Sequence, residues 1–288
     1  MPRSSAVGRG FTMPARQRRA LGCPRQFTEN KKSIFGEIYR PCSTVVCSRG
    51  GFSCESSKCL IGGINQEANK MPSTIPIPNG SIGFDHSGSR LTSQQAQDYV
   101  DRGYKFCLRY IPNPLSSGAS DLNKDEADAI LASGLWLGAV QHCCAASESS
   151  TFEPTPGMGI EWGALAAQHA AAAGLTAGTT VWLDLEGVKA GTAVADIVGF
   201  CNQWFAQVKA TGFTSGVYVG FDSGLSSDQL YFQLTTQHYW RGASDVPDVA
   251  HRGYQLIQKI LNDAGGNEID FDHAQSDNLG LSATVTSQ

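Results

Sequence analysis

From residue 81 onward, short runs of β-branched and aromatic residues alternate with helical stretches, and no other feature restricts the possible folds so tightly. Strands are expected over residues 81–85, 104–110, 135–141, 181–187, 214–219, 237–241, 254–258 and 267–272. Between them, Thr92 caps a helix that runs to about Arg102 and stops at Gly103. Further helices are expected over residues 124–133, 160–173, 193–211 and 226–234. In the fourth, Ile197, Phe200, Trp204 and Val208 recur at helical spacing. Eight strands with intervening helices in about 200 residues predict a compact (β/α)8 TIM barrel, its final helices short or missing.

The fourth strand carries chemistry that a purely structural strand would not. In Val181-Trp182-Leu183-Asp184-Leu185-Glu186-Gly187, Val181, Leu183 and Leu185 share one face, and Trp182, Asp184 and Glu186 the other. Two carboxylates at i and i+2 beside a tryptophan are costly to desolvate and repel each other. That environment pushes one pKa above the other, which acid catalysis on a sugar uses. A solvated strand edge or a cap for the next helix is the plain alternative.

TIM barrels hold their active sites at the C-terminal ends of the strands. Asp85 ends the first strand, Asp184 and Glu186 the fourth, and Asp270 and Asp272 the eighth. Closure brings strands one and eight together, so up to five carboxylates gather around one cavity. Arg109, near the end of strand two, supplies a cation for one of them. Trp182, Tyr218, Tyr239 and Trp240 offer faces for sugar rings, with a core role as the alternative for each.

Composition separates two regions. Residues 1–80 hold 12 Lys+Arg against 4 Glu, whereas the rest holds 10 basic against 22 acidic residues. The first region shows little periodicity and is read as a largely disordered basic leader or linker, with the barrel domain over residues 81–288. Arg18-Arg19 lacks the apolar segment that a twin-arginine signal needs. Cysteines 23, 42, 47, 54 and 59 match no common zinc spacing. A bridge between Cys107 and Cys143 or Cys144 is geometrically conceivable in an oxidising compartment.

An acidic domain is a poor partner for nucleic acid, and no apolar run approaches the roughly 18 residues of a membrane span. His86 and His142 sit at strand ends without matched ligand spacing and read as solvated or hydrogen-bonded histidines. Oxygen ligands from the carboxylate ring are the alternative that would hold Mg2+ or Ca2+. No phosphate loop, dinucleotide fingerprint or nucleophile elbow is present. The expectation is therefore no metal, no cofactor and a monomer.

Several ordered motifs resemble a known family. Gly83-Phe84-Asp85, Leu91-Thr92, Gly103-Tyr104-Lys105-Phe106 and Arg109-Tyr110 are similar to the glycoside-hydrolase-like domain of actinobacterial and fungal proteins. That domain is related to the family-25 glycoside hydrolases, the lysozyme-type muramidases. Leu122, Glu126-Ala127, Ile130 and Ser133-Gly134-Leu135 continue the resemblance. Asp184-x-Glu186 and Ile269-Asp270-Phe271-Asp272 match the muramidase acidic motifs.

The resemblance covers about residues 81–280. It implies Glu186 as general acid, Asp184 as its stabilising neighbour, and Asp85 with Asp270 or Asp272 completing the site. His86 after Asp85, and Asp272-His273-Ala274, depart from the muramidase pattern. The expected activity is hydrolysis of a cell-wall polysaccharide, with peptidoglycan as a candidate, at an extracellular or wall-associated location. A non-catalytic glycan-binding barrel that keeps the acidic cleft is the alternative. A metal-dependent phosphoesterase is a third reading.

Overall fold

The computed structural model describes residues 71–115, 118–143, 150–262 and 268–288, all within one unit, Ile64–Gln288. The residues ahead of Met71, with their cysteines and Arg18-Arg19, lie outside the described residues, as does Cys144. The elements run β1 (Ser73–Pro76), β2 (Ile82–His86), α1 (Ser93–Asp101), β3 (Phe106–Ile111), α2 (Lys124–Ala132), β4 (Trp136–His142) and α3 (Pro156–Ala172). They continue with β5 (Thr180–Leu185), α4 (Val194–Ala210), β6 (Thr214–Val219), α5 (Ser227–Gln233), β7 (His238–Arg241), β8 (Leu256–Asn262), β9 (Glu268–Ala274) and β10 (Thr284–Ser287).

Strands β2 to β9 close into an eight-stranded barrel through the β4–β5 pairing. These are the eight strands expected from the sequence, but the barrel is mixed. Strands β2 to β8 run parallel, whereas β9 is antiparallel to both β8 and β2. Neither β7 to β8 nor β8 to β9 is joined by a helix among the described residues, so the last strand returns as a hairpin arm.

Local chemistry sets the helix starts. Thr92 and Ser226 form capping boxes with Gln95 and Gln229, and Asn123 and Thr155 accept the N–H groups of Glu126 and Met158. Helices α3 and α4 approach closely because α3 presents glycine: a Cβ on Gly159 would lie 2.2 Å from the Phe200 carbonyl oxygen, and one on Gly163 2.7 Å from that of Trp204. The helices cover the outward residues Val181, Leu183 and Leu185 of β5, which share one core with Phe200 and Trp204 of α4.

A second core fills the barrel, with Phe106, Leu108, Trp182, Trp240 and Leu256 pointing inward. Large side chains from one strand meet glycine on its neighbour. A Cβ on Gly83 would sit 2.3 Å from the Phe106 ring, on Gly138 2.6 Å from Leu108, and on Gly216 2.4 Å from Trp182. Each buried tryptophan contributes roughly 4–6 kcal/mol of apolar transfer. That is enough to offset much of the several kcal/mol that desolvating a nearby carboxylate costs.

Strand β1 lies within the stretch read from sequence as leader. It pairs antiparallel with β10, which in turn meets β4 at Thr286↔Leu137. Val285 and Ile77 join the inner core. Thr284 and Thr286 hydroxyls bond those of Thr180 and Thr179 at 2.8 and 2.7 Å. This antiparallel pair, made of the first and last strands, closes the N-terminal end of the barrel and leaves the C-terminal end as the open one.

Candidate active site

The inward face of every barrel strand but β7 delivers a polar residue towards the open end. Asp85 comes from β2, Tyr110 from β3, His142 from β4, Asp184 from β5, Tyr218 from β6, Gln258 from β8, and Asp270 with Asp272 from β9. Glu186 follows β5 by one residue, ahead of Gly187, whose φ of 64° turns the chain away. Trp182 and Trp240 form the floor, their rings edge-to-face with centroids 5.8 Å apart.

Reversal of β9 gives its two acids different depths. Asp270 stands opposite Asp85 at the mouth, and Asp272 opposite Gly83 one inward position deeper. Asp272 is 0% exposed, and neither of its oxygens makes a hydrogen bond among the described residues. Burial, then the Asp85 charge, pushes its pKa well up. The Trp240 indole N–H lies toward it and partly opposes that shift, short of good hydrogen-bond geometry.

Asp85 is better provided. Its carboxylate accepts from Gln258 Nε2 at 2.6 Å and from the Tyr110 hydroxyl at 3.4 Å. Burial and the Asp270 charge still raise its pKa well above the usual carboxylate range, against those two hydrogen bonds. Gln258 is held in turn, because its Oε1 accepts from Tyr218 at 3.0 Å and from the Ala243 N–H at 3.2 Å.

Glu186 and Asp184 differ in surroundings. Asp184 is 1% exposed, and its Oδ1 has no hydrogen-bond partner among the described residues. His142 Nδ1 lies 2.7 Å from Asp184 Oδ2, a close contact without hydrogen-bond alignment. The imidazole stacks on Tyr110 with centroids 4.1 Å apart. Glu186 is half-buried. Burial, then the charges of Asp184, Asp85 and Asp270, pushes its pKa up to about 9. It carries a proton at neutral pH and can donate it.

Space for Glu186 is made by glycine. A Cβ on Gly220 would lie 2.4 Å from Glu186 Oε2 and 2.5 Å from its Cβ, and one on Gly242 2.7 Å from the Tyr218 hydroxyl. Both glycines follow barrel strands at the level where the acids converge.

Five sequence-predicted acids and the rings of Trp182, Tyr218 and Trp240 are thus brought together. Two residues are not. Arg109 lies on the outward face of β3, where Nε bonds Glu126 Oε1 of α2 at 2.7 Å. It also donates to the carbonyls of His86, Gly88 and Ser120, tying the loop after β2 to α2. Tyr239 likewise faces outward, its hydroxyl donating to the Leu230 carbonyl at 2.7 Å. Adjacent residues on a strand face opposite ways, so Trp240 inward requires Tyr239 outward.

His86 Nε2 meets the Ser89 carbonyl oxygen at 3.0 Å, matching its reading as a hydrogen-bonded histidine. Cys107 is a buried free thiol, so the bridge considered for it is not formed.

Sequence reasoning missed His142, Gln258, Tyr110 and the two glycines as parts of the site. Ile260 is another: it follows Gln258 on the inward face of β8, opposite Asp270, and is 57% exposed. A signal existed for Gln258, an amide two positions after Leu256 on a strand whose inward face is otherwise apolar. None existed for the others, whose roles arise from which strands become neighbours.

Several solved structures align with this chain, and the first described shares its fold. The Tat-secreted protein Rv2525c of Mycobacterium tuberculosis, solved with HEPES, aligns over 70% of this chain and 98% of its own, at 16% identity and a TM-score of 0.53. The catalytic domain of endolysin ply40 from Listeria monocytogenes bacteriophage P40 aligns over 68% of this chain and 93% of its own, at 16% identity and a TM-score of 0.46. The modular autolysin LytC of Streptococcus pneumoniae aligns over 67% of this chain and 46% of its own, at 12% identity and a TM-score of 0.45. None of the curated proteins matches the sequence. The family model for the Rv2525c-like, glycoside hydrolase-like domain matches residues 97–275, more than half of the 288 residues, and the chain belongs to that family.

Proposed function

We propose that this protein is a glycoside hydrolase that cleaves a cell-wall polysaccharide, with peptidoglycan as the first candidate. The observation that carries the reading is Glu186, a half-buried acid at the barrel mouth kept protonated to about pH 9 by burial and three neighbouring acids. Beside it, Asp184 presents a buried oxygen without a hydrogen-bond partner.

In this mechanism Glu186 protonates the glycosidic oxygen as the bond to the anomeric carbon breaks. Asp184 attacks the anomeric carbon from the opposite side. The oxygens of Asp184 and Glu186 approach within 4.8 Å of each other, which favours a double displacement over an inverting pair with water between its carboxylates. Glu186, now ionised, takes a proton from water as that water releases the sugar from Asp184, and the acid is restored.

Asp85 and Asp270 raise the Glu186 pKa, and Asp272, too deep to reach a sugar, acts through Asp85. Trp182 and Trp240 shape the floor, while Tyr218 and exposed Ile260 serve as contacts for the glycan. The Tat secretion of Rv2525c supports an extracellular or wall-associated place of action. No helix among the described residues is long and apolar enough to cross a membrane.

The test is reducing-end release by the full chain on peptidoglycan, chitin and fungal wall glucan, wild type beside Glu186→Gln. Turnover on one of them that falls at least 100-fold in the variant supports the hydrolase. Absence of turnover, with both forms still pulled down by one polymer, replaces it with a glycan-binding barrel.

A further inference from the structure

We propose that His142, Asp184 and Glu186 form a binding site for a divalent transition-metal cation of the Zn2+ type, and that its occupancy switches off the acid. One donor atom from each residue, an imidazole nitrogen and two carboxylate oxygens, lies within 4.8 Å of the other two. Ligands of tetrahedral Zn2+, with bonds of about 2.0–2.2 Å, stand roughly 3.4 Å apart. The set therefore closes by a small adjustment of Glu186, the half-buried end of the trio.

A second observation points to a ligand independently of that clustering. Asp184 Oδ1 is buried without a hydrogen-bond partner among the described residues, on a residue only 1% exposed. His142 Nδ1 is buried, faces the same carboxylate at 2.7 Å and likewise lacks an aligned partner. Buried polar atoms are ordinarily satisfied, and a cation between these two satisfies both.

The ligands are also held from behind. Tyr110 stacks on the imidazole, and Asn113 Nδ2 donates to the His142 carbonyl at 3.1 Å. Supports of this kind fix a ligating ring in place. One nitrogen with two oxygens suits Zn2+ over Mg2+ or Ca2+, which prefer all-oxygen cages. Three protein ligands leave a fourth position open to water or a sugar hydroxyl.

A Glu186 oxygen engaged by the cation is not available to carry a proton to the glycosidic bond, so metal and hydrolysis compete for one side chain. The inhibitory half rests on the proposed role of Glu186, whereas the binding half does not.

Calorimetric titration of the full chain with ZnCl2 separates them, comparing wild type, His142→Ala and the near-isosteric Asp184→Asn, each checked for folding by circular dichroism. Zinc taken up by cysteines is common to all three and cancels in the difference. The expected result is one more Zn2+ per wild-type chain than per variant. Where wild type turns over substrate, loss of at least 10-fold in rate at saturating Zn2+ is also expected. Equal stoichiometry in wild type and folded Asp184→Asn overturns the site whatever the activity. The extra Zn2+ without any turnover leaves the site standing and removes the hydrolase reading instead. Full activity with the extra Zn2+ bound overturns the switch.

Discussion

Gln258 donates its amide N–H to Asp85 across the β8–β9–β2 corner of the barrel, at 2.6 Å, although the two residues lie 173 positions apart in the chain. Its carbonyl is occupied by Tyr218 and Ala243, so the amide has one orientation and gives Asp85 the shorter of its two hydrogen bonds, the other coming from Tyr110 at 3.4 Å. The bond works against burial and the Asp270 charge, both of which favour protonated Asp85.

Replacing Gln258 by leucine removes that donor at nearly constant volume. Asp85 then ionises only at still higher pH, its charge helps less to keep Glu186 protonated, and the alkaline limb of kcat/KM moves downward in pH. The lost hydrogen bond, worth about 1–2 kcal/mol, corresponds to roughly one unit in the Asp85 pKa, and the limb moves by no more than that. A pH–rate profile of wild type and variant checks this. An unmoved alkaline limb would show that the Asp85 charge does not hold the proton on Glu186.

Glu186 couples function to stability. Its folded-state pKa of about 9 lies above the ordinary glutamate value of 4.5, so its contribution to stability is full below about pH 4.5. That contribution is lost as pH rises towards 9. Glu186→Gln, permanently neutral, escapes the loss. The variant is expected to melt at higher temperature than wild type at pH 8, by about 2–4 °C per kcal/mol regained, with the difference vanishing near pH 4.5. Thermal melts across pH 4.5–9 measure it, alongside an alkaline limb near pH 9 in wild-type activity.

Gly220→Ala puts a methyl group 2.5 Å from the Glu186 Cβ, too close for the acid to keep its place. Activity is expected to fall 10- to 100-fold, with stability reduced by about 1–3 kcal/mol from overpacking. Steady-state kinetics with chemical denaturation provide both readouts. Wild-type turnover in this variant would detach Glu186 position from catalysis.

Arg109 and Glu126 are both buried, on the outer side of the barrel wall. Removing one partner of such a pair strands the other charge, so Arg109→Ala is expected to cost about 3–5 kcal/mol of stability. Binding of the polysaccharide to the remaining folded protein, measured by pull-down, stays close to wild type. A selective loss of binding without destabilisation would return Arg109 to the sugar site.

The order of strands and helices, the caps at Thr92, Asn123 and Ser226, and the facing of Asp184 with Trp182 follow from local spacing and turn chemistry. A residue alternation of two and a helical period of 3.6 are properties of the chain itself. The acidic set Asp85, Asp184, Glu186, Asp270 and Asp272 was legible for the same reason. Which face is inward was not. Strand β3 is buried on both sides, so alternation separates Arg109 from Tyr110 without saying which of them meets the acids. Direction of β9 was also hidden, because the same residues with inward side chains serve a strand running either way. Only closure of the barrel set Asp272 beneath Asp270, brought Gln258 to Asp85, and placed His142 beside Asp184. Those contacts depend on which strands become neighbours, and that choice is made by packing the whole barrel rather than by any one segment.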